Sequence, residues 1–345
     1  MNIPELIKMN NGKCVENTAD LELRRKELLT VLAHEEYGIM PEAPAYVKGE
    51  VVKSVSTFCG FANLEFINLT FPTPNGDFTM PVKLFAPANG EKMPVMIHIN
   101  FNDNPYDKYH PAEEIFSHGY ALGIVYYGDV TSDDGDFTDG LAAQYPRRND
   151  GTDWGKISMW AFAASRFIDY LCTRPDIDSD NIAVAGHSRL GKTALWCGAN
   201  DTRVKLACSN DSGCSGASLE RYKLGNCEHY NQIYDRFPYW FCENFKKYGD
   251  APETAPFDQH FLIGACAPRY VAVGSGELDE WACPPSEKLC SQEAAKIWEA
   301  AGLSGYSENP ADDAHIVYHV RKGGHFFSRI DWVEYMKFFK SIIEK

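Results

Sequence analysis

The sequence predicts an α/β fold in which a mostly parallel central sheet carries helices on both faces, a three-layer sandwich. Three observations predict it. The run "MPVMIHIN" at 93–100 is almost continuously apolar, as a parallel strand buried on both faces must be. From there to the C-terminus, strand-like and helix-like segments alternate, which is the rhythm of a parallel sheet built with helical crossovers. The chain has 345 residues, 44% of them hydrophobic, which is enough for one full core.

The elements follow in order. Residues 19–36 read as an amphipathic helix, with Leu21, Leu23, Leu28, Leu29 and Leu32 mostly at helical spacings. From Val47 to Pro87 the pattern turns to strands, as in "NLEFINLTF", and "PNGD" at 74–77 supplies a hairpin turn. Residues 1–90 therefore form a helix and a β-meander. Next come a strand at 93–100, a helix at 110–119, a strand at 120–128 and a long helix at 156–174. "NIAVAG" (181–186) is a strand, 190–199 a helix and "VKLACSN" (204–210) a strand. A helix at 257–267, a strand at 270–276, a helix at 286–302, a strand at 315–320 and a helix at 331–345 complete the chain. No linker or repeat interrupts it, so residues 1–345 read as a single domain. Residues 212–256 lack the rhythm. A long excursion in such a sheet usually covers an active site.

Composition excludes some functions. The net charge of -15 argues against a nucleic-acid or anionic-membrane partner and otherwise reads as a solvated surface. No apolar stretch approaches the ~20 residues of a membrane span. "MNIPELIKMNNGKC" holds no signal-like apolar run, so the sequence as written reads as cytoplasmic, or as secreted if a leader has been removed. The 11 cysteines are odd in number and show no C-x-x-C spacing, so free thiols are expected.

"AVAGHSRLGKTALW" (183–196) fits two incompatible motifs. From Gly186 to Thr193 it spells G-x-x-x-x-G-K-T, a phosphate-binding loop. Around Ser188 it is a strand, a tight turn with an exposed serine and a helix, which is the nucleophile elbow of the α/β-hydrolases. A phosphate loop usually follows the first strand of its sheet and needs a later apolar strand ending in Asp for magnesium. Here at least two parallel strands come first. Ser209 and Asn210 break the apolar run before Asp211, and His187, Arg189 and Leu190 are bulky where amides should wrap a phosphate. The elbow finds what it needs in Gly186 at minus two and Gly191 at plus three, although Leu190 occupies the usual second-glycine position. The order nucleophile, acid, histidine is also present. Glu277, Asp279 and Glu280 follow the penultimate strand, and His325 sits in a Gly-rich loop after the last.

The blocks "GHSRLGKTALWCGA", "NDSGCSGASLERYKLG", "FPYWFCENF", "PFDQHFLIGACAPR", "LDEWACP" and "GGHFFSRIDW" together resemble the glucuronoyl esterases, carbohydrate esterase family fifteen, in its bacterial branch. The resemblance runs from Met93 to the C-terminus. It implies an α/β-hydrolase that cleaves the ester between a 4-O-methyl-glucuronate on xylan and a lignin alcohol. It further implies Ser188 as nucleophile, His325 as base, Arg189 as an oxyanion stabiliser, Lys192 on the uronate and Trp281 at the sugar. Asp279 is the expected acid, with Asp211 as the alternative because part of the family carries its acid there as Glu. Where the family often has Gly-Glu, Asn226 stands at the sugar site, which leaves an acetyl-xylan or other small-ester carboxylesterase as the alternative reading. The expected partner is a carbohydrate ester, and the reaction calls for neither metal nor cofactor. From the residues alone, Arg189 and Lys192 also fit ordinary helix-face charges. Trp281 equally fits a core position, Trp240 and Phe241 fit packing of the cover, and His98, His110 and His260 fit structural roles.

Overall fold

The computed structural model describes residues 2–345. One ten-stranded sheet organises them, in the order β1-β2-β3-β5-β4-β6-β7-β8-β10-β9. The meander of β1 (Lys48–Thr57), β2 (Ala62–Thr73) and β3 (Gly76–Pro87) forms one antiparallel edge, and β3 pairs antiparallel with β5 (Ala121–Tyr126). From β5 onward the sheet is parallel: β4 (Met93–Asn100), β6 (Ile177–His187), β7 (Val204–Asn210), β8 (Tyr270–Gly276), β10 (Ile316–Arg321) and the two-residue β9 (Tyr306–Ser307).

Strand side chains alternate between two cores, as a period of two demands. Val95, Ile97, Ile182, Val184, Val271 and Val273 face a core shared with α1 (Thr18–Leu32), α3 (Lys156–Leu171), α4 (Arg189–Asn200), α6 (His260–Gly264) and α7 (Pro284–Ala300). Met96, Ala183, Ala185, Cys208 and Ala272 face the other core, beneath α2 (Ala112–Ser117) and α8 (Arg329–Ile343). A short α5 (Tyr230–Arg236) lies in the excursion. The three-layer α/β-hydrolase architecture expected from the sequence is the one observed. Within α1, Leu21, Leu28 and Leu32 are buried while Leu23 is exposed, so the leucine pattern marked the correct helix but one wrong face. Among the described residues, no helix is long and apolar enough to cross a membrane.

Because β6, β7, β8 and β10 are parallel neighbours, their C-terminal ends lie side by side. Ser188, Asp211, Asp279 and His325 all follow those ends, so topology alone gathers them on one rim of the sheet.

Candidate active site

The turn after β6 is the tightest in the site. Ser188 has φ 58° and ψ −126°, and α4 begins at the next residue. A Cβ on Gly186 would lie 2.0 Å from the Leu190 carbonyl oxygen, so only glycine fits there. One on Gly191 would lie 3.0 Å from Ser212 Cβ and 3.1 Å from the Asn210 oxygen. Leu190 is tolerated because its side chain is fully buried in the core. The Ser188 N–H donates to Asn210 O at 2.9 Å, which ties the turn to β7. The phosphate-loop reading fails on this geometry. The helix starts directly after Ser188 and leaves no loop to wrap a phosphate, the Thr193 hydroxyl donates to Arg189 O, and the Lys192 ammonium donates to Ser212 O.

His325 Nδ1 lies 2.6 Å from Asp279 Oδ2, and Ser188 and His325 line the same cleft of about 190 Å³. Asp211 is close by: one donor atom each from Asp211, Asp279 and His325 lie within 4.8 Å of one another. That spacing would suit a metal, but each group is already engaged. Asp211 accepts from the Gly276 N–H at 2.6 Å and from Arg321 Nη2 at 3.1 Å. Burial pushes the Asp211 carboxyl up to about 8, helped by the charge of Glu287 and opposed by the Gly276 N–H and Arg321. His187 packs 4.4 Å from His325 between ring centroids, and burial beside that ring lowers its pKa to about 3, so it stays neutral.

The remaining wall is built by Arg189, Lys192, Glu228, Arg236, Phe237, Trp240 and Trp281. Arg189 donates through Nη1 to Asp133, and its guanidinium lies 4.5 Å from the Trp240 ring centroid. Asp133 also accepts from Trp240 Nε1 at 2.7 Å and from the Tyr127 hydroxyl at 3.2 Å. Arg189 and Lys192 are thus not free helix-face charges. Lys192 is buried, its pKa lowered by desolvation against the opposing charge of Glu228. Trp281 is 40% exposed and belongs to the cleft, not the core. Trp240 does more than pack, whereas Phe241 is buried as cover. His98 and His110 are buried with their Nδ1 atoms 3.1 Å apart, and His260 Nε2 meets Pro4 O.

A family model described as "Glucuronyl esterase, fungi" matches residues 69–302. The chain belongs to the glucuronoyl esterase family. It is 31% identical to a carbohydrate esterase designated MZ0003 from an unknown prokaryotic organism, over 97% of this chain and 88% of the relative. It is 27% identical to a 4-O-methyl-glucuronoyl methylesterase of Podospora anserina, over 87% of this chain and 61% of that longer protein. The glucuronoyl esterase of Solibacter usitatus superposes with a TM-score of 0.87 at 28% identity, covering 99% of this chain and 97% of the other. Membership of this family makes the chain a carboxylic-ester hydrolase.

Two sequence expectations differ from what the structure shows. Asn226 is exposed and lies outside the cleft wall, because the chain turns at Gly225 (φ +67°) before re-entering. The residue that reaches the cleft is Glu228, two positions on, whose N–H donates to Trp281 O at 3.1 Å. Cysteine parity also misled. Cys227 and Cys283 form a disulfide, and nine cysteines stay free. An odd total is compatible with one bridge, and the partners stand 56 residues apart, so no short spacing marked them. Asp133, Glu228, Arg236 and Phe237 were not singled out from the sequence. The "NCEHY" block holds the one available signal, a carboxylate two residues after Asn226.

Proposed function

We propose that this chain hydrolyses esters of 4-O-methyl-glucuronate through an acyl-enzyme on Ser188. The observation that carries the reading is the 2.6 Å contact of His325 Nδ1 with Asp279 Oδ2, in a cleft that also holds Ser188, Lys192 and Glu228. His325 takes the Ser188 proton as Oγ attacks the ester carbonyl, then delivers it to the departing alcohol oxygen. Water repeats the cycle in reverse to release the acid. Asp279 fixes the imidazole tautomer and stabilises the imidazolium. Arg189, at the N-terminus of the twelve-residue α4, faces the developing oxyanion. Glu228 accepts sugar hydroxyls, Lys192 supplies positive charge to the uronate side, and Trp281 offers an indole face to the ring. Residues 1–345 are read as one domain whose 212–256 segment covers this cleft. The glucuronoyl methylesterase name of the Podospora relative supports the acyl group. The small cleft supports a second reading, a sugar acetyl-esterase.

The two are separated by the purified protein and its Ser188→Ala variant on benzyl glucuronate and on acetylated xylo-oligosaccharide. We expect turnover of the glucuronate ester, abolished by the substitution. Turnover of acetyl esters alone would replace the proposal with the second reading.

A further inference from the structure

Arg321 ends β10 and is buried, at 6% exposure. Its guanidinium donates to Gly324 O from both Nη1 and Nη2 at 3.2 Å, and from Nη2 to Phe326 O. Those carbonyls belong to the residues immediately before and after His325. The same fork reaches two buried carboxylates, Asp211 from Nη2 at 3.1 Å and Asp331 from Nε at 2.6 Å. Asp331 is further held by the Ser328 N–H at 2.8 Å and His319 Nε2 at 2.9 Å.

The loop carrying Asp279 is tied to the same cluster. Leu278 N donates to Gly323 O at 2.9 Å and Glu277 N to Arg321 O at 2.8 Å. Gly276 pairs with Arg321 across the strands, and a Cβ there would lie 2.5 Å from Gly324 O. The Gly276 N–H in turn donates to Asp211. Nothing in ester cleavage requires a buried arginine at this place, and none of its donors lines the cleft.

We infer that Arg321 is a positioning residue: its guanidinium staples the backbone on both sides of His325, and Asp211 serves as a hydrogen-bond acceptor that holds the guanidinium, not as the acid that orients the imidazole. A lysine could not substitute. It presents one point charge, whereas the planar fork spreads five donors over the carbonyls of Lys322, Gly324 and Phe326 and the carboxyl groups of Asp211 and Asp331. The inference rests on His325 being the base.

The test uses Arg321→Lys and Arg321→Met, with folding followed by thermal melts. On benzyl glucuronate both variants should lose about 10²-fold in kcat, the scale of a small misplacement of a catalytic group, with KM near wild type. Labelling of Ser188 by a fluorophosphonate should slow in parallel. Adding Asp211→Asn to Arg321→Met should cost little more, because the two act as one unit. Full activity in a folded Arg321→Lys would overturn the inference, since charge and not the fork would then suffice. So would wild-type kcat in Arg321→Met, or a rise in KM alone. If Arg321→Met does not fold, the lysine variant decides. Failure of the glucuronate reading looks different: wild type leaves the ester intact yet is still labelled, and the labelling rates then carry the test. Labelling that survives Ser188→Ala would mean that the nucleophile itself is misassigned.

Discussion

The cleft has a floor and a wall, and they are held in different ways. The floor is Ser188, Asp211, Asp279 and His325, each one to four residues past the end of a parallel strand. Backbone hydrogen bonds between neighbouring strand ends fix most of it, as from Ser188 N to Asn210 O and from Asp211 N to Gly274 O at 2.8 Å, and the Arg321 guanidinium holds the His325 loop. The part of the wall made by Glu228, Arg236, Phe237 and Trp240 is carried on short helices and turns with no ladder beneath them. It is fastened at points: the Cys227–Cys283 bridge, the bond from Glu228 N to Trp281 O, and the grip of Asp133 on Trp240. On the proposed function, the chemistry sits where strand ends supply most of the geometry, and recognition sits where separate point fastenings do.

Substitutions at three levels of the molecule probe that division. The largest effect belongs to the floor. Asp279→Asn should lower kcat by about 10⁴, the cost of losing the imidazole's tautomer control. Asp211→Asn should cost far less, since Asn can still accept from Gly276 N–H. Rate constants for the two variants on one ester check this, and a reversed order would exchange their roles.

A smaller, differently shaped effect belongs to the wall. Glu228→Gln should raise KM for a glucuronate ester by about tenfold, from the loss of a charged hydrogen-bond acceptor, with kcat little changed. The Cys227→Ser, Cys283→Ser pair should move KM the same way by a smaller factor. If either change lowers kcat and leaves KM alone, floor and wall are not separable.

The smallest effect lies beneath both regions. Glu36 is wholly buried, Gln259 Nε2 donates to its Oε1 at 2.9 Å, and its Oε2 has no partner. Burial raises its carboxyl from 4.5 to about 8. The folded chain therefore keeps a proton that the unfolded chain releases above about 4.5. Stability from this group is complete below that pH and is lost as pH rises through about 8. Melting temperature should fall by a few degrees between pH 5 and 8 on the scale expected of one buried carboxyl, and Glu36→Gln should flatten that slope. An unchanged slope in the variant would show that other groups carry it.

The same division explains what could be read in the amino-acid order. Ser188 and His325 were legible because strand ends are marked by apolar runs and the turns by Gly186, Gly191, Gly323 and Gly324. Asp279 read as the expected acid and Asp211 as its alternative, whereas the contact of Asp211 with Arg321, 110 residues away, is announced by no local pattern. The wall was not legible in detail. Glu228 reaches the cleft where the chain has turned at Gly225 and is pinned by the Cys227–Cys283 bridge, whereas the nearby Asn226 stays exposed outside it. Trp240 read as packing because its indole N–H meets Asp133, 107 residues away. The short β9 left no recognisable run at all.

The exposed edge of the meander carries a consequence of another kind. β1 leaves most of its residues open to solvent, including Val51, Val52 and Val55, and an unpaired edge of this sort can recruit another copy of itself. Its register shifts between Val51 and Lys53, which leaves Val52 as the extra residue of a bulge and increases the local twist of the strand. Straightening β1 would leave the strand ends that gather Ser188 and His325 untouched and remove the irregularity that disfavours edge-to-edge pairing.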